Sequence, residues 1–87
     1  MPVYLVERTL PGVTLAQLTA MRQALRDACA TAGAAGTPVC YRRSIVVPGE
    51  SRCLCLFEAP DAERVQEVNE TAQIPYNRIL TALELAP

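Results

Sequence analysis

The sequence predicts an α+β domain of order βαββαβ, with an antiparallel four-stranded sheet and two helices on one face. Three observations lead there. Apolar residues alternate with a period of two in residues 2–8, 39–47 and 52–59, whereas they recur at helical spacing over 14–32 and again after Asp61. Proline and glycine punctuate the chain between these stretches, at "LPG", "GAAGTP", "PGES" and "QIP". A length of 87 residues suits one domain, 1–87. A chain of this size buries only about 60 to 65 % of its unfolded surface, so association with a second copy is a natural supplement to a thin core.

The first strand is "PVYLVER", stopped by the Pro11–Gly12 loop. Thr14 then stands as an N-cap with Gln17 three residues on, a capping-box pattern, and Leu18, Met21, Leu25, Ala28, Cys29 and Ala32 form the apolar stripe of a first helix running to about Ala32. "VCYRRSIVV" is β-branched and aromatic enough for the second strand, and "PGES" is a tight hairpin turn into a third strand, "RCLCLFEA". Asp61 caps a second helix with Ala62, Val65, Val68 and Ala72 inward and Glu63, Arg64, Glu67 and Glu70 toward water. Pro75 ends it, and "ILTALEL" is expected to close the sheet as a fourth strand. This is the ferredoxin-like split unit.

If Pro48 and Ser51 flank the turn, strict pairing sets Cys53 opposite Val46, Cys55 opposite Ser44, Phe57 opposite Arg42 and Ala59 opposite Cys40 on one face. The other face then carries Leu54 with Ile45, Leu56 with Arg43, and Glu58 with Tyr41. Arg43 and Glu58 become diagonal neighbours within reach of a salt bridge, and Arg42 becomes the cation diagonal to Cys55. Both faces are largely apolar, as expected of a sheet covered by helices on one side and by a partner on the other.

Charge limits the partners. Eight basic residues, all arginine, and nine acidic ones give a formal charge of −1, which offers no electrostatic footprint for nucleic acid or an anionic membrane. No window is apolar enough to span a bilayer and no signal-peptide pattern opens the chain, so a cytoplasmic protein with reduced thiols is expected. The chain has no histidine. Cys-His catalysis and a Ser-His-Asp triad within one chain are thereby excluded, and proton transfer would fall to Glu58, Glu7, a tyrosine or a thiol with a displaced pKa.

Cys53 and Cys55, alternating on a strand, admit three readings. They pack as small hydrophobes, they supply two thiolates to a soft-metal site completed by Cys40 or by a second subunit, or Cys55 is a thiol activated by Arg42. The Cys-x-Cys spacing lacks the paired knuckles of zinc sites, and its span along a strand disfavours a disulfide. Tyr41, Arg43 and Glu58 form a second candidate, either orienting a small ligand that bears a carboxylate or enol, or registering a dimer interface as an ion pair.

From the second strand to the second helix the sequence resembles a family of small bacterial proteins labelled nickel-binding protein, and the overlap covers most of the chain. Ser44, the run from Cys55 to Pro60, and Ala72, Ile74 and Pro75 followed by Arg78 and Ile79 carry the likeness, with "YLVER" and "LPG" at the amino terminus. The resemblance implies a ferredoxin-like fold that forms a homodimer through its sheet, and a soft divalent metal such as nickel as cofactor. Three positions where the family pattern has histidine hold Thr9, Arg43 and Val68, and Gln73 stands where a helix-ending glycine is usual. The functional expectation is a small ligand- or metal-binding protein. The alternatives are a cofactor-free biosynthetic enzyme of cyclase, isomerase or monooxygenase type with a pocket in the dimeric fold, and a structural interaction module.

Overall fold

Alternation in β1 (Val3–Thr9) turns Tyr4, Val6 and Arg8 to one side, where all three are buried, and leaves Val3, Leu5 and Glu7 half-covered on the other. The same division runs through the whole sheet of this computed structural model, which describes Met1–Pro87. After the Pro11–Gly12 turn, helix α1 (Leu15–Ala34) starts on the expected capping box, with both reciprocal hydrogen bonds between Thr14 and Gln17 present. β2 (Cys40–Val47) leads through a short 3₁₀ turn, Pro48–Glu50, into β3 (Arg52–Glu58). Asp61 accepts from the Arg64 N–H and caps α2 (Ala62–Thr71). At the exit of α2, Gln73 adopts a left-handed backbone (φ 59°), the conformation that usually selects glycine there. β4 (Arg78–Ala82) completes the sheet.

The strand order is β2-β3-β1-β4 with antiparallel neighbours throughout, so the two cysteines and Arg8 lie on the central strands. Helices α1 and α2 pack side by side over the face that carries Tyr4, Val6, Cys53, Cys55 and Phe57. Neither helix is long and apolar enough to cross a membrane. The opposite face has no helix over it, and Ile45 (56 %) and Val47 (39 %) are exposed there.

Two expectations change. β4 ends at Ala82 rather than running to Leu85, because Ala82 pairs with Val3, the first residue of β1, and beyond it there is no strand to hydrogen-bond. The hairpin register is as expected from Val47↔Arg52 to Arg43↔Leu56, but then a β-bulge intervenes and the pairing becomes Tyr41↔Phe57 and Cys40↔Glu58. Strict alternation would have pressed the Arg42 guanidinium against Phe57 under the helices. The extra residue keeps Arg42 and Arg43 both outside and lets the Tyr41 ring pack on Phe57 at 5.3 Å between centroids.

Candidate functional site

The bulge redistributes the residues singled out from sequence. Tyr41 leaves the company of Arg43 and Glu58 and joins the thiol face, so the expected guanidinium, carboxylate and phenol constellation does not assemble. Arg42, not Arg43, contacts Glu58, and it also reaches Glu84 at 2.8 Å. Arg43 meets Glu84 at 3.5 Å. Arg42 therefore lies on the opposite side of the sheet from Cys55 and is not its activating cation. Cys40, exposed and opposite Glu58, is separated by the sheet from Cys53 and Cys55 and cannot complete a site with them within one chain.

On the helix-covered face a different group converges. Cys53 and Cys55, both fully buried, bring their sulfurs to 3.8 Å. The Ser44 hydroxyl lies 3.0 Å from the Cys55 sulfur, directly across the strand pair, and the Tyr41 hydroxyl hydrogen-bonds Ser44 in turn. On the other side β1 sets Arg8 opposite Cys53 and Val6 opposite Cys55. Arg8 is only 2 % exposed. Its guanidinium donates to the Asn69 side-chain oxygen at 2.7 Å and to the Pro75 carbonyl at 3.4 Å, both neutral, and its Nε has no partner. Asn69, itself fully buried, donates at 2.8 Å to the Val65 carbonyl, which fixes the face it offers to Arg8.

The electrostatic consequence is an asymmetric thiol pair. The pair releases its first proton from Cys55, at about 6, because Cys53 donates a hydrogen bond to the resulting thiolate, with the Arg8 charge and Ser44 adding to the effect against the opposing cost of burial. Cys53 is pushed up for the complementary reason, as the donor to that thiolate. Burial raises Cys29 on α1 to about 11, so it stays a neutral packing thiol. Tyr41 is also raised, chiefly by burial.

A cleft of about 370 Å³ between α1 and β2 leads toward this group, and Met21, Arg22, Tyr41, Ser44 and Val46 line it. The thiols lie behind Ser44 and Tyr41. A larger cleft of about 610 Å³ opens beside the end of β1, and its wall includes Pro75, whose carbonyl holds Arg8.

Arg8 and Asn69 were not recognised from sequence. The signal existed: Arg8 shares the parity of Tyr4 and Val6, and Asn69 lies four residues after Val65 on the apolar stripe of α2. Asn77 likewise has a use, accepting from the Thr9 N–H at 3.0 Å and tying β1 to the entry of β4.

The donor set does not fit a nickel ion in the manner the resemblance implies. There is no imidazole, and nowhere do three or more Cys, Asp or Glu side chains gather as ligands. A divalent ion at the thiols would also share its surroundings with the buried Arg8 charge.

A family model described as nickel responsive protein SCO4226-like matches residues 4–81. Among solved structures, the crystal structure of SCO4226 from Streptomyces coelicolor A3(2) is similar over 97 % of this chain and 99 % of its own length, with a TM-score of 0.78 and 26 % sequence identity. No curated protein matches the chain.

Proposed function

The chain belongs to the SCO4226-like nickel responsive protein family, and from that membership and the buried thiol group we propose a small binding protein that takes a thiophilic ligand at Cys55 and Cys53. One observation carries the reading: two fully buried cysteine sulfurs 3.8 Å apart, opposite a buried arginine in the strand register, whose oxygen partners are both neutral. Buried cations without an anionic partner are costly, and a thiolate or a thiolate complex supplies the missing charge.

The same reading includes a homodimer paired through the open sheet face. Leu5, Leu54, Leu56 and Leu80 are half-buried there and Ile45 is exposed, while the ion pairs of Glu7 with Arg52 and Arg78, and of Arg42 with Glu58 and Glu84, frame the patch. Such an apolar field with a charged rim has the anatomy of an interface.

Anaerobic titration of the reduced protein with zinc, nickel and cuprous ions, read as native mass, tests the binding reading. At least one ion is expected to be retained by the wild type and lost from the Cys53→Ser/Cys55→Ser double variant. Equal retention by both proteins would refute it. A cofactor-free enzyme is a second reading, favoured by the Tyr41 and Ser44 hydroxyls in the cleft wall; it requires turnover that Tyr41→Phe abolishes without loss of ion binding.

A further inference from the structure

Resting on the thiol pair being a binding site, we propose that Cys53 and Cys55 hold one monovalent soft cation of the cuprous kind as a two-thiolate complex, with the buried Arg8 guanidinium as its counter-charge. Charge decides the class of ion. Two thiolates carry two negative charges and Arg8 carries one positive charge, so a monovalent cation makes the buried group neutral. A divalent ion leaves a net positive charge in a region that excludes water, where an uncompensated charge is strongly disfavoured.

Geometry and donor chemistry point the same way. A metal–thiolate bond is about 2.3 Å long, so sulfurs now 3.8 Å apart both reach one ion and need open little for a straighter arrangement. No third cysteine or carboxylate stands near to build the four-ligand shell that zinc prefers, and only the neutral Ser44 hydroxyl adjoins. Thiolates suit both the cuprous ion and zinc, so the ligand number and the charge balance make the choice between them. Arg8 sits across the strand pair from Cys53, is 2 % exposed, and retains a buried Nε–H with no acceptor. That Nε–H is a donor available to a thiolate sulfur.

Binding balances simply. The two cysteines take one cuprous ion, whatever thiol protons they hold pass to solvent, and no electron is transferred. The path runs down the α1/β2 cleft, where Ser44 and Tyr41 are the last side chains before the sulfurs.

The test is anaerobic competition between the reduced full chain and the chromophoric cuprous chelator bathocuproine disulfonate, with native mass for stoichiometry, first in wild type and then in a Cys29→Ser/Cys40→Ser background that leaves only the buried pair. One ion per chain is expected, with zinc and nickel unable to displace it. Replacing Arg8 by Gln is expected to weaken cuprous binding by about 10- to 100-fold, the usual effect of removing a supporting group, while zinc binding is unchanged or strengthened, and Arg8→Lys restores the preference. Should Arg8→Gln fail to fold, the zinc and nickel displacement measured in wild type decides alone. Zinc or nickel held at the pair as tightly as the cuprous ion overturns the monovalent assignment and leaves the thiol site standing. Cuprous binding that survives Cys53→Ser/Cys55→Ser overturns the site itself, and failure to retain any of the three ions removes both.

Discussion

Replacing Cys55 with alanine should change how stability depends on pH in the reduced, metal-free protein. In the folded chain the thiol pair loses one proton at about 6 and retains the other, whereas both unfolded cysteines titrate near their ordinary value of 9.0. Between those pH values the unfolded state binds one proton more than the folded state, so unfolding free energy rises with pH by up to about 1.4 kcal/mol per unit. Across the interval from about 6 to 9.0 the gain reaches at most roughly 4 kcal/mol. Above 9.0 the sign reverses, because unfolded cysteines have lost protons that Cys53 and Cys29 still hold in the folded chain. Stability should therefore peak near pH 9. The window is clean because the chain has no histidine, and the other titratable groups packed on the same core are Tyr4, Arg8, Tyr41, Tyr76 and Cys29. Urea unfolding followed by circular dichroism in strong reductant, at half-unit steps of pH, gives the slope for wild type and for Cys55→Ala. The variant should lose the rise, whatever packing it also loses. Parallel curves for the two proteins would refute the ionised Cys55.

Further outcomes follow from the packing. Phe57→Ala should cost about 3 to 5 kcal/mol in urea unfolding, since the ring is fully buried and packs on Tyr41. Thr14→Ala should cost about 1 kcal/mol by removing the cap that Gln17 completes, measured as a shift in the unfolding midpoint with an unchanged denaturant slope. Leu54→Arg, in the open sheet face proposed above as the dimer interface, should lower the sedimentation coefficient from the value of a pair to that of a single chain while leaving the helical signal intact, and a variant sedimenting as wild type would contradict pairing through that face.

Most of the fold was legible because period and punctuation agree. Alternation, the Thr14 and Asp61 caps and the Pro48–Ser51 turn each specify a local structure, and together they admit one simple topology. The hairpin register was legible only as far as Arg43. Beyond it, strict alternation conflicts with the cost of burying Arg42 against Phe57, and a bulge is the resolution that keeps the aromatic pair. A two-arginine run at the base of a hairpin is the feature that announces such a conflict. Its consequence reached the candidate site, because moving one residue out of register changed the face of Tyr41, Arg42 and Cys40 together.

Arg8 is the harder case, and the more informative one. At the end of a strand an arginine on the inward parity is ordinarily expected to lift its head group into solvent. Here β1 is central, α2 covers it, and Asn69 and Pro75 take two of the guanidinium's donors, so the charge stays inside a domain in which only 13 of 87 residues are buried. A domain with so thin a core would gain more from an apolar residue at that position. Violations of local preference of this kind concentrate where a site needs them. Cys53 stands directly opposite Arg8 with the Cys55 sulfur 3.8 Å beyond, and a thiolate there supplies the compensating negative charge, which makes the arginine and the cysteine pair a single unit rather than two oddities of one core.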